Sequence, residues 1–174
     1  MRRMLTALTL AAVVAGGSQP ASAFMLQLSV GEGIFLNSPK VGSSVSAAPL
    51  TTEILGGFNV GPYLTLDVGF LFAYDVFEPY YGTTVAQSYY LGVRPGIHVF
   101  LSRARTGLVP YLRAAFPIEY DNATGNTFVG LLLGGGVEFK LGFVGVFAEG
   151  IISPYFNNQN PVPLEARIGV AVHF

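Results

Sequence analysis

The chain has 174 residues, enough for one domain, and no cysteine, which excludes disulfides, thiol catalysis and thiolate metal sites. Hydrophobic residues make up 51% of it and charged residues only 11%, well below the roughly 25% usual in soluble domains. The formal net charge is −1, and there is no basic stripe of the kind a nucleic-acid partner requires.

The first segment has the parts of a secretory leader. Arg2 and Arg3 open it, and the apolar stretch Leu5 to Val14 is too short to span a bilayer, which takes about 20 residues. A run of small and polar residues then ends in Ala21-Ser22-Ala23, the A-x-A pattern of leader cleavage. Residues 1–23 are therefore predicted to be a cleaved signal peptide, with Ala21 and Ala23 at the cleavage site, and residues 24–174 a single exported domain. Beyond Ala23 no apolar run approaches 18 residues, so no transmembrane helix is expected. A chain too apolar for water and without a spanning helix is accommodated by a closed β-barrel, in which every backbone group pairs with a neighbouring strand.

Strand side chains alternate between two faces, and that alternation defines eight segments. The first runs from Phe24 to about Phe35. It alternates through Val30 and then puts Glu32 on the apolar face, so the membrane segment is expected to end there, or a bulge to reset the register. The second sets Ile54, Gly56 and Phe58 against Glu53, Leu55 and Gly57. The third sets Leu64, Leu66, Val68, Phe70, Phe72 and Tyr74 against Thr65, Asp67, Gly69, Leu71, Ala73 and Asp75. In the fourth, Tyr89, Leu91, Val93, Pro95, Ile97 and Val99 oppose Ser88, Tyr90, Gly92, Arg94, Gly96 and His98. Pro95 lacks a ladder donor and predicts a bulge around Arg94 to Gly96.

The fifth segment places Leu112, Ala114, Phe116 and Ile118 against Tyr111, Arg113, Ala115 and Glu119. The sixth places Val129, Leu131, Leu133, Val137 and Phe139 against Gly130, Gly134, Gly136, Glu138 and Lys140. The seventh is short, with Val146, Ala148 and Ile152 against Phe147, Glu149 and Ile151. The last is the clearest: Leu164, Ala166, Ile168, Val170, Val172 and Phe174 against Glu165, Arg167, Gly169, Ala171 and His173. Short connections lie at Val60 to Tyr63, Leu101 to Gly107 and around Gly142. Longer ones run from about Leu36 to Ala48, Asp75 to Gln87, Asp121 to Thr127 and Ser153 to Pro163. Such alternation suits short periplasmic turns and longer outer loops, with both ends in the periplasm.

A soluble eight-stranded barrel would turn its apolar face inward and cover its outer face with Lys, Glu, Thr and Gln. Here the other face is mostly Gly, Ala and Ser with a few charges, which suits a narrow interior. The apolar side is nearly free of charge, as a lipid face must be. The predicted fold is an all-β, eight-stranded, antiparallel up-and-down transmembrane β-barrel. With tryptophan absent, the aromatic girdles are expected from Tyr74, Tyr89 and Tyr120 at one rim and Phe58, Phe100, Phe143 and Phe174 at the other.

The leader, the alternating strands and the ending Val170-Ala171-Val172-His173-Phe174 resemble the small outer-membrane barrels of the OmpA/OmpX type. A terminal Phe174 with Val172 and Val170 before it is similar to the signal read by the bacterial barrel-assembly machinery. The resemblance implies location in the bacterial outer membrane, with lipid and lipopolysaccharide around the barrel. The protein is expected to be a monomer and, because its sequence ends with the last strand, to lack the periplasmic peptidoglycan-binding domain of full-length OmpA-type proteins.

The inward face carries Glu53, Asp67, Arg94, Arg113, Glu119, Glu138, Glu149, Glu165 and Arg167, with His98 and His173. A lone charge in a narrow low-dielectric interior is costly, so these are expected to pair as a salt-bridge plug. A structural or surface-interaction role follows. The alternatives are a narrow pore, a conduit for small apolar solutes past Leu55, Leu71, Phe147 and Ile151, and, less favoured, a lipid A-modifying enzyme. The enzyme reading lacks a His-x-Ser pair, since Phe100 follows His98, so no catalytic residue, cofactor or metal site is assigned. Gly134-Gly135-Gly136 lacks the Lys-Ser or Lys-Thr of a phosphate loop and is expected to serve close packing or a bend. Phe77, Tyr80, Tyr81, Tyr155 and Phe156 are expected near the outer rim, as anchors in lipopolysaccharide or as an adhesive surface.

Overall fold

The computed structural model describes residues 23–36, 45–47, 50–74, 89–122, 125–156 and 162–174. Most of the leader, with Ala21, lies outside these residues, as do Phe77, Tyr80 and Tyr81. The strands are β1 (Phe24–Leu36), β2 (Val45–Ala47), β3 (Leu50–Asn59), β4 (Leu64–Tyr74), β5 (Tyr89–Phe100), β6 (Thr106–Ala115), β7 (Ile118–Asp121), β8 (Asn126–Val129), β9 (Leu132–Leu141), β10 (Val144–Ile152) and β11 (Val162–His173). Among the described residues every strand pairing is antiparallel, and β1 pairs with β11, which closes the sheet.

These segments make eight staves. β6 and β7 keep one register against β5, interrupted at Phe116-Pro117, and together form one stave. β8 and β9 form another, because both continue the same register against β7 and β6. The short β2 pairs with the far end of β1 beyond β3.

The pairing also sets the barrel's dimensions. Phe24 pairs with Phe58, Phe58 with Leu66, Leu66 with Ile97, and Ile97 with Ala114. Ala114 pairs with Leu133, Leu133 with Ile152, Ile152 with Leu164, and Leu164 with Ile34. One circuit therefore returns to β1 ten residues further along, at Ile34 rather than Phe24. With a rise of about 3.3 Å per residue and a strand spacing of about 4.8 Å, the strands tilt by roughly 40° and the barrel is roughly 16 Å across its backbone. That width admits side chains and little else.

The alternation read from the sequence holds around the circle. Ile54, Phe58, Phe70, Leu112, Val146 and Ile168 stand exposed on the outer surface, while Glu53, Asp67, Arg94, Arg113, Glu119, Glu138, Glu149, Glu165 and Arg167 are all buried inside. Val170 and Phe174 are exposed outside with the rest of their face, and Val172 is half-buried. An apolar exterior over a charged interior is the reverse of a water-soluble barrel.

Four expectations need correction. No bulge forms at Pro95: Arg94, Pro95 and Gly96 keep an unbroken register with Gly69, Val68 and Asp67. Its missing donor is absorbed on the other side, where the ladder lapses opposite Phe116-Pro117 and Phe116 N–H still donates to Pro95 O at 2.8 Å. β1 does not bulge at Glu32 but keeps its register with β11 as far as Leu36. The register slip lies instead with its other neighbour, between Gly31↔Thr51 and Ile34↔Ala47. Phe100 belongs to no girdle. It falls on the parity of His98 and is buried, whereas Phe58, Phe143 and Phe174 are exposed near their rim. The connection expected from Asp121 to Thr127 is shorter than that, because β7 and β8 pair as far as Asp121↔Asn126, with Gly125 at a φ of 69°.

Candidate functional site in the lumen

Seven of the eight staves send a charged side chain inward. At mid-height, Glu53 of β3 forms ion pairs with three arginines on three other strands. Arg113 of β6 donates to both its oxygens, at 2.5 and 3.2 Å. Arg167 of β11 pairs with it, and Arg94 of β5 lies 3.6 Å away. Each arginine holds a second carboxylate as well. Arg94 donates through Nε to Glu119 at 2.7 Å and reaches Glu165 at 3.4 Å. Arg167 donates to Glu165 at 2.9 and 2.5 Å, and Arg113 to Glu149 at 3.1 Å. The planar guanidinium fork lets each arginine serve two acceptors at once.

Two tyrosines complete the network. Tyr111 Oη donates to Glu149 at 3.2 Å, and Tyr155 Oη donates to Glu119 at 2.5 Å. Tyr155 is thus turned into the lumen, and the rim-anchoring or adhesive role expected of it is not available. Phe156, next along the chain, is exposed and packs on Phe116 with ring centroids 5.9 Å apart. Sequence parity does not reach Tyr155, because it lies just beyond β10 and enters the lumen through an isolated bridge to Gly130.

Two expected members stand apart from the arginines. Asp67 pairs with His98 Nδ1 at 2.9 Å, and Glu138 with His173 Nε2 at 2.7 Å, with Lys140 3.9 Å away. These pairs lie on the side of the chain termini, among Met25, Leu55, Phe100, Val109, Tyr111, Phe147 and Ala171, which form a buried apolar cluster. Leu55 and Phe147 are packed into this cluster, and Ile151 into a smaller one with Ala115 and Leu132.

Glycines make room for these side chains. A Cβ at Gly69 would fall on the Glu53 carboxylate and lie 3.2 Å from an Arg113 nitrogen. One at Gly145 would fall on the Glu138 carboxylate, and one at Gly92 would lie 2.8 Å from Glu119 Cγ. Gly136 does the same for the Tyr111 hydroxyl, 2.7 Å from its added Cβ, so the Gly134-Gly135-Gly136 run packs inside β9 as expected. Small residues thus stand opposite large ones, which is how a narrow barrel fills its interior. Among the described residues no group of His, Asp and Glu has the arrangement of a metal site.

No protein-family model matches the chain, and no curated protein matches its sequence. Solved structures do match its fold. The neisserial surface protein A superposes with a TM-score of 0.65 at 16% identity, over 90% of this chain and 100% of that one. The N-terminal barrel domain of Pseudomonas aeruginosa OprF gives 0.63 at 10% identity, over 89% and 100%. Ail, the attachment invasion locus protein of Yersinia pestis, in complex with the heparin analogue sucrose octasulfate, gives 0.59 at 11% identity, over 87% and 97%. The chain therefore has the fold of the small eight-stranded outer-membrane barrels.

Proposed function

We propose that the protein is a non-conducting, non-enzymatic barrel of the bacterial outer membrane, closed by its lumen charges and serving a structural or surface-interaction role. Both termini face the periplasm, and the barrel inserts as a monomer through the barrel-assembly machinery, into phospholipid and lipopolysaccharide. The observation that carries the closed lumen is the buried network in which Glu53 joins Arg94, Arg113 and Arg167. A backbone diameter of about 16 Å leaves such side chains room to meet across the lumen. The apolar cluster around Phe100 and Phe147 adds a second layer on the side of the termini.

Single-channel recording of the folded barrel in a planar bilayer tests the closed lumen. Folded protein, verified by heat-modifiable gel mobility, is expected to be silent. Steady openings that change when Arg94 or Arg113 is replaced would overturn the reading in favour of a narrow pore. Orientation is testable separately, because the chain has no cysteine of its own. A single cysteine at Asn122 is expected to react with an impermeant maleimide on intact cells, and one at Ser102 is not.

A further inference from the structure

The rim on the side of the termini carries exposed charge of one sign. Between Phe100, the end of β5, and Thr106, the start of β6, a short turn of residues 101–105 holds Arg103 and Arg105, both exposed. Neither has a carboxylate partner among the described residues. No Asp or Glu described on this rim is exposed: Asp67 and Glu138 are buried and held by His98 and His173. Lys140, the other base at this end, is turned over the Phe100 ring at 4.4 Å and lies 3.9 Å from Glu138. The uncompensated positive charge is therefore that of the one turn. At the opposite rim no described residue is an exposed base.

Arg103 is also fixed in depth. Its guanidinium carbon lies 4.4 Å from the centre of the Tyr63 ring, on the neighbouring turn between β3 and β4. The two turns are tied together, because Phe100 N–H donates to Tyr63 O at 2.8 Å. A guanidinium held against a ring face keeps donors for a second partner. Tyr63 is exposed, as are Leu101 and Leu108 at the two ends of the turn. The arginines thus stand where the apolar wall ends, beside an aromatic ring of the kind that settles at head-group level. The turn is too short to carry them far into the aqueous space.

We propose that this turn binds the head group of a phospholipid of net negative charge, its phosphate on Arg103 and Arg105 and its acyl chains along the wall at Leu101 and Leu108. The planar guanidinium fork matches phosphate geometry. An anionic head group complements the unpaired charge, whereas a zwitterionic one brings an ammonium that offsets it. That the lipid belongs to the periplasmic leaflet rests on the proposed orientation, which labelling of the cysteine at Ser102 tests by itself. The lipid preference of the purified barrel does not depend on it.

The test is native mass spectrometry of the detergent-purified barrel, titrated with phosphatidylglycerol or phosphatidylethanolamine of identical acyl chains, each variant being checked for folding by heat-modifiable gel mobility. One basic side chain at anionic head groups is worth about fivefold in affinity, so a preference of about fivefold to thirtyfold for phosphatidylglycerol is expected from the two, shrinking as salt rises. Arg103→Gln combined with Arg105→Gln is expected to abolish the preference. Lys140→Gln, which removes a charge from the same rim but not from the turn, is expected to keep it. Tyr63→Leu is expected to reduce it with both arginines present. Equal binding of the two lipids would leave the turn to an acidic partner outside the bilayer and overturn the proposal. So would a preference that survives the double substitution, that is lost as fully in Lys140→Gln, or that is unchanged in Tyr63→Leu. Glycerophosphoglycerol, which has the head group without acyl chains, is expected to bind far more weakly; affinity equal to that of the lipid would overturn the proposal in favour of a soluble phosphodiester site.

Discussion

Replacing Glu53 by Gln removes the one carboxylate shared by three arginines while keeping its size. Breaking a buried ion pair from one side costs about 3–5 kcal/mol, because the other charge stays buried without its partner. Here each arginine retains another carboxylate: Arg94 keeps Glu119 and Glu165, Arg113 keeps Glu149, and Arg167 keeps Glu165. The cost therefore falls at the low end, about 3 kcal/mol. Arg113→Met is expected to cost more, about 4–5 kcal/mol. Of the mid-lumen charges it leaves four carboxylates, Glu53, Glu119, Glu149 and Glu165, facing only Arg94 and Arg167, and Glu149 keeps only the Tyr111 hydroxyl. Urea titration of the barrel in lipid vesicles, with the folded fraction read from gel mobility, gives both values. A Glu53→Gln barrel within about 1 kcal/mol of the wild type would refute the assignment of Glu53 as the centre of the network, as would the reverse order of the two variants.

Two further outcomes follow from the packing of the two faces. Gly69→Ala drives a methyl group onto the Glu53 carboxylate and is expected to cost about 1–3 kcal/mol, whereas Gly150→Ala, with open space around it, stays within about 0.5 kcal/mol in the same titration. Ile168→Arg, on the exposed apolar face of β11, is expected to lower stability by about 2–4 kcal/mol in vesicles. Little loss there would mean that this face does not meet hydrocarbon.

The class of fold was legible in the residues because strand parity is a local, periodic property. In β11, Leu164 to Phe174 and Glu165 to His173 separate by the pleat alone, and the inward set follows without knowing which strands are neighbours. The same parity, applied strictly, places Phe100 inside with His98. Aromatic character alone does not put Phe100 in a girdle; its position on the inward parity decides. The pairing of opposite charges was also foreseeable, since an isolated charge in a narrow interior is too costly to persist.

Tertiary structure alone decided which charge meets which. Glu53 and Arg167 are far apart in sequence and come together because one circuit of the sheet shifts β1 by ten residues, from Phe24 to Ile34. Parity carries no information about that shift, which sets the relative height of side chains on different strands. It is the shift that joins Glu53 to three arginines yet leaves Asp67 with His98 and Glu138 with His173. Periodicity along a strand is written in the residues, whereas registry between strands emerges only when the barrel closes.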